Sequence, residues 1–183
     1  MTRRERLRRA LAVSAVTVAL GGGVFGAVRA AGLWYNGTPS MPEGIYRLNR
    51  SPIAPLERGA IVAICPSPEV LAVAVPRHYL APGPCPGNVV PLLKRVAAVG
   101  GDRVDVAERF VSVNGRMLAD SGRFERDAAG MPLPRIPVGR YVVAPNKVWL
   151  YGPNPRSWDS RYYGAQPVAG VLGTATPVLI VGR

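Results

Sequence analysis

Residues 10–28 carry no charge, whereas residues 1–9 hold five arginines and one glutamate. A helix over the uncharged stretch reaches about 28 Å, close to the hydrocarbon thickness of a bilayer. The pattern predicts a transmembrane anchor over 10–31. Arginines before the span place residues 1–9 in the cytoplasm as a basic arm, and residues 32–183 outside it. A cleavable signal peptide is the rival reading, because Val28-Arg29-Ala30 resembles a small-residue cleavage site and Thr2-Arg3-Arg4 a twin-arginine start. The apolar run is longer than the core of a usual signal peptide, although Gly21-Gly22-Gly23 weakens it as a helix.

Beyond Tyr46 the pattern changes to short apolar runs between turn signals. Gly59–Ile64 reads as a buried strand, and Leu71–Val75 fits either a strand or a short helix. Val104–Val106 and Phe110–Val113 read as strands, and Asn114-Gly115 as a tight hairpin turn. Arg140–Ala144, Lys147–Leu150 and Val178–Val181 complete the set. Residues 115–138 are less hydrophobic and read as an inserted hairpin or loop. With 19 prolines and 21 glycines there is little room for long helices, so a single mostly β domain is expected behind the N-terminal helix.

Composition adds a second kind of information. The formal charge is +12, of which the first nine residues supply +4. The remainder is scattered and not interleaved with aromatics, so nucleic acid is not an expected partner. Anionic lipid headgroups are, since basic residues close to a membrane are favoured there. Of the 23 basic residues only Lys94 and Lys147 are lysines. Arginine keeps its proton in proteins, whereas a desolvated lysine gives it up. Lys94 lies inside the apolar run Pro91-Leu92-Leu93-Lys94-Arg95-Val96-Ala97-Ala98-Val99, which makes it a candidate general base. The alternative is a strand lysine with its head in water.

A candidate nucleophile lies in Thr38-Pro39-Ser40-Met41-Pro42-Glu43-Gly44-Ile45-Tyr46. Residues before proline avoid the helical region, so Thr38 and Met41 are expected to be extended and Ser40 to sit on a stiff, extended segment. Pro39 has no N–H, which leaves the amides of Ser40 and Met41 as the nearest donors for an oxyanion, with the Thr38 hydroxyl as a third. Serine with lysine is a recognised nucleophile–base pair. His78, the only histidine, lies outside any supporting motif and reads as structural.

Taken together, Thr38-x-Ser40-Met-Pro-x-Gly-x-Tyr46, the Leu-Leu-Lys94-Arg-Val-Ala-Ala box ending in Gly-Asp102, and Asn154-Pro-Arg-Ser157-Trp-Asp159-Ser160-Arg161-Tyr-Tyr-Gly164 resemble the signal peptidase I superfamily. The Asn36-x-Thr form and the Cys-Pro elements at Cys65 and Cys85 are most similar to the branch of conjugative-transfer peptidases that process pilin precursors. The resemblance runs from about Leu33 to Val171. It implies a signal-peptidase-like β domain and a Ser40–Lys94 dyad. Thr38 and Ser40 would form the oxyanion hole and Ser157 would orient the Lys94 amine, with an Asp159–Arg161 ion pair bracing the turn. The implied partner is a membrane-held precursor at the inner membrane, its acyl-enzyme resolved by water or by the substrate's own amine in a cyclisation. Two functions compete: a general signal peptidase, and a non-catalytic envelope scaffold. No cofactor or metal is expected, since two cysteines and one histidine are too few for a four-ligand zinc site. In an oxidising compartment Cys65 and Cys85 are expected to form a disulfide; two buried thiols are the alternative.

Overall fold

The computed structural model describes residues 3–50 and 55–181. Two units follow one another along the chain, Met1–Trp34 and Tyr35–Arg183. The first consists of helix α1, Arg3–Ala30, and the start of strand β1, Leu33–Asn36. The expected anchor, 10–31, overlaps α1 over residues 10–30. Among the described residues, no helix is long and apolar enough to cross a membrane.

The second unit is mostly β. Strands β2 (Gly44–Asn49), β3 (Ile61–Ile64), β5 (Leu92–Val99), β10 (Lys147–Tyr151), β11 (Gln166–Pro167) and β12 (Val171–Ile180) join β1 in a seven-stranded sheet. Its order is β1-β2-β12-β3-β5-β10-β11. A second sheet, ordered β8-β7-β6-β9, comprises β6 (Arg103–Val106), β7 (Val111–Val113), β8 (Arg116–Met117) and β9 (Gly139–Val142). Strand β4 spans Pro82–Cys85. The ambiguous run after residue 70 is resolved as helix α2, Pro68–Ala74, with proline in its first turn, where a missing N–H costs nothing.

A shift of register divides the core. Trp149 pairs with Ala98, but Leu150 pairs with Val96, so Ala97 is an extra residue in β5. A bulge of this kind turns the next side chain to the other face. Val96 and Leu150 accordingly pack with Val62, Ile64, Leu92 and Val148. Ala98 and Trp149 pack instead with Val104, Val106, Val111 and Val113 of the second sheet.

The Asn114-Gly115 turn forms as read: Val113 pairs with Arg116, and both turn residues have positive φ, 50° and 82°, the signature of a two-residue hairpin. After β8 the segment to Val138 is irregular, with one isolated bridge between Arg126 and Pro132. Asp102 braces the β5–β6 turn. Its buried carboxylate accepts from the Val99 amide at 2.9 Å, Asn114 Nδ2 at 2.8 Å and the Arg58 guanidinium, Nε at 2.6 Å. These donors, Arg58 first, hold the carboxyl well below its ordinary range. Cys65 and Cys85 are bridged. The bridge ties the end of β3 to β4, just before the chain enters β5, and closing a loop of 20 residues contributes about 3 kcal/mol.

Two sequence expectations need correction. The C-terminal strand begins at Val171, not Val178; Gly173, Thr174, Thr176 and Pro177 mask its pattern, yet it runs between β2 and β3 and pairs with both. The Ser40 segment is not extended: Pro39 and Ser40 form a turn between bends at Thr38 and Met41.

Candidate active site

The turn at Ser40 follows from the side chain that ends β1. Asn36 is 4% exposed, and its Nδ2 donates to the carbonyls of Thr38 (3.0 Å), Met41 (3.2 Å) and Pro42 (3.1 Å). One amide thus gathers three carbonyls, and the chain curls round it. Its Oδ1 accepts from the Thr38 amide at 3.3 Å and the Thr38 hydroxyl at 2.8 Å. Tyr46 OH donates to the Pro42 carbonyl at 2.7 Å, and Met41 is fully buried. Ser40 is left partly exposed on top of this loop, its Oγ 3.2 Å from Thr38 Oγ1.

Lys94 lies in the middle of β5, flanked on its own face by Leu92 and Val96, and pairs with Val62 of β3. It is 2% exposed. Burial disfavours the ammonium and lowers its pKa from 10.5 to about 8; the Asp159 carboxylate opposes that shift and the Arg161 guanidinium adds to it. Nζ donates to Ser157 Oγ at 2.9 Å.

Ser157 comes from the turn between β10 and the short helix α3, Ser160–Tyr163. The turn is wired from beneath. Asp159 and Arg161 are both fully buried and form a bidentate pair, Nε–Oδ1 and Nη2–Oδ2 each at 2.8 Å. Asp159 also accepts from the Gly152 amide at 2.9 Å and the Arg161 amide at 3.1 Å. Arg161 Nη2 donates to the carbonyls of Asn154 (3.0 Å), Ser157 (3.2 Å) and Gly152 (3.3 Å). Its Nη1 reaches Asp120 O at 2.8 Å in the irregular segment after β8. Tyr151 OH donates to Ala119 O and the Phe124 amide to Tyr162 OH, so that segment is fastened to the same turn. An ion pair out of water needs its remaining donors and acceptors filled, and here backbone groups fill them.

Gly152 brings the serines and the lysine together. It follows Tyr151, which pairs with Arg95, so it lies level with Lys94. A Cβ at this position would collide with Ser157 Oγ and lie 2.5 Å from the Ser40 carbonyl. The absent side chain is the space in which the Ser40 backbone meets Ser157, whose hydroxyl holds the Lys94 amine. Thr38, Ser40, Lys94, Ser157, Asp159 and Arg161 therefore belong to one contiguous set. His78 and Lys147 are exposed and outside it. Among the described residues no three His, Cys, Asp or Glu side chains converge on a metal-sized site. The sequence motif includes Asn36 but not its role, and Gly152 lies just before the third motif; a glycine directly after a strand, level with a buried lysine, is the only signal for the latter.

Lys94 is thus a buried amine with a pKa of about 8, held by Ser157 next to the Ser40 loop, and a group of that pKa can exchange a proton near neutral pH. Over residues 4–180 the chain matches the signal peptidase family, peptidase S26, and it belongs to that family. It is also similar to proteins named for conjugal or plasmid transfer. It is 37% identical to a probable conjugal transfer protein TraF of Sinorhizobium fredii, over 98% of this chain and 94% of that protein. Identity to a plasmid transfer protein TraF of Escherichia coli is 37%, over 88% and 93%. A conjugal transfer protein TraF of Agrobacterium tumefaciens is 39% identical, over 78% and 80%. A signal peptidase I from Enterococcus faecalis superposes with a TM-score of 0.38 at 21% identity, covering 68% of this chain and all of that one.

Proposed function

We propose that the protein is a membrane-anchored serine endopeptidase that cleaves a pilin-type precursor for conjugative transfer, with Ser40 as nucleophile and Lys94 as general base. The observation that carries the reading is Lys94, a lysine buried in a β core yet close to neutrality and held by Ser157 beside the Ser40 loop. At pH 7 about a tenth of such amines are unprotonated, and a neutral amine keeps N–H groups for Ser157 and a lone pair for a proton.

In the proposed cycle the Ser40 hydroxyl proton passes to Lys94 Nζ as Ser40 Oγ bonds to the scissile carbonyl carbon. The Ser40 or Met41 amide and the Thr38 hydroxyl stabilise the oxyanion. The C–N bond breaks, and Lys94 gives its proton to the leaving amine. Water, or an amine of the substrate, then attacks the acyl-enzyme and releases Ser40. Ser157 orients the base, and the Asp159–Arg161 pair holds the turn that carries Ser157.

Support for the substrate class comes from the family and from relatives named for conjugal or plasmid transfer. The uncharged stretch of 10–28 behind five arginines supports an inner-membrane anchor with the β unit on the extracytoplasmic side. Mass spectrometry of pilin precursors incubated with wild type and Ser40→Ala tests the proposal. Processing by wild type and none by Ser40→Ala is expected, with stability changed by less than about 1 kcal/mol. Equal processing by both would show that Ser40 is not the nucleophile, and processing by neither would leave the scaffold reading in its place.

A further inference from the structure

The hydrogen bonds around Ser40 have a direction, and it can be worked out from their far end. Asn36 faces three carbonyl oxygens with one side of its amide, at 3.0–3.2 Å. Carbonyls accept only, so that side is the NH2 group. The other side, Oδ1, therefore faces Thr38, and an amide oxygen cannot donate. The 2.8 Å bond between Oδ1 and Thr38 Oγ1 must use the Thr38 proton. A threonine hydroxyl has only one. Across the 3.2 Å gap to Ser40 Oγ, Thr38 is left as the acceptor and Ser40 as the donor.

We infer that Asn36 is a positioning residue for the nucleophile, acting through Thr38: it sets the polarity of the chain Ser40→Thr38→Asn36 and so holds the Ser40 proton on Thr38 in the resting protein. The inference rests on the peptidase reading above. In the acylation step the Ser40 proton leaves Thr38 for Lys94 as Oγ bonds to the carbonyl carbon. Thr38 then loses the donor it was accepting from, and its own proton turns from Asn36 Oδ1 to the oxyanion. Asn36, buried and anchored by the loop's carbonyls, stays in place as the acceptor to which that proton returns when the carbonyl re-forms. The amide is thus a rest position for the oxyanion donor: Thr38 keeps its own proton throughout, and the one proton that leaves the chain is that of Ser40, which Lys94 takes and passes to the leaving amine.

A double-mutant cycle separates this from simple bracing of the loop. Asn36→Ala and Asn36→Gln are each placed in three backgrounds: Thr38 intact, Thr38→Ser, which keeps the hydroxyl, and Thr38→Val, which keeps the shape without it. Steady-state cleavage of one precursor-derived peptide is measured, with Ser40→Ala as control and thermal unfolding of every variant. Asn36→Ala should lower kcat about 10- to 100-fold, less than the roughly 100- to 1,000-fold cost of removing an oxyanion donor outright because Thr38 keeps its hydroxyl, with KM within about twofold. The same loss should appear in the Thr38→Ser background and vanish in Thr38→Val. Asn36→Gln, which keeps an amide for the loop carbonyls but moves its oxygen away from Thr38, should follow the same pattern and serves where Asn36→Ala does not fold. A loss of equal size in all three backgrounds, or one carried by KM, overturns the inference while Ser40→Ala stays inactive and the peptidase reading stands. Cleavage that survives Ser40→Ala sinks both.

Discussion

At the scale of single residues, the chain keeps one lysine where water cannot reach it, and the consequence is a pH dependence with a defined sign. Lys94 titrates near 10.5 when unfolded and near 8 when folded. Between those values the unfolded chain binds a proton that the folded site does not, so stability rises with pH across that window. Below pH 8 both states are protonated and the full cost of the buried ammonium is present. From pH 7 to 9.5 the wild type should gain about 2 kcal/mol relative to Lys94→Met, measured by denaturant unfolding at both values. Activity should rise over the same range, with kcat/KM climbing through a pKa near 8. Lys94→Arg should be inactive at every pH, because guanidinium does not give up its proton. A flat profile, or an active arginine variant, would show that Lys94 is not the base.

At the scale of elements, the site is a meeting of three: the β1–β2 turn with Ser40, the centre of β5 with Lys94, and the β10–α3 turn with Ser157. Their contact depends on Gly152. In Gly152→Ala the new methyl would strike Ser157 Oγ and Ser157 Cβ, the latter at 2.7 Å, and crowd the Ser40 carbonyl at 2.5 Å. Forcing these apart should cost about 1–3 kcal/mol of stability. The Lys94–Ser157 bond and the Ser40 loop should shift together, so precursor cleavage should fall by at least about 100-fold, the loss expected from a 1 Å misplacement. Thermal unfolding and precursor cleavage of the alanine variant check both. Wild-type cleavage by a folded Gly152→Ala would mean that the two turns need not touch.

At the scale of the whole molecule, the β unit has its own cores on either side of β5 and β10, so it should not depend on α1 for folding. A protein lacking residues 1–31 should give a cooperative unfolding transition and cleave a soluble peptide at close to the full-length rate. Its cleavage of a precursor held in vesicles should drop if residues 1–31 hold the protein at the membrane, because an anchor supplies local concentration. Equal activity on the vesicle-held precursor would remove the case for an anchor. Much of this organisation was legible in one dimension. The β-rich unit, the Asn-Gly hairpin and the three motifs all depend on local chemistry or residue spacing, which a sequence displays directly. The curl of the Ser40 loop was not legible, since proline preferences argue for extension and the Asn36 amide, reaching three carbonyls at once, overrides them. Nor was the full extent of β12, whose glycine, threonines and proline disguise a strand lodged between two others. The depressed pKa of Lys94 and the role of Gly152 were decided by folding alone, because burial and close approach depend on which distant segments pack together. The sequence determined which groups are available for chemistry; the tertiary structure decided that the Lys94 amine and the Ser157 hydroxyl are buried together and that the Ser40 loop lies against them, because only folding brings three distant segments into contact.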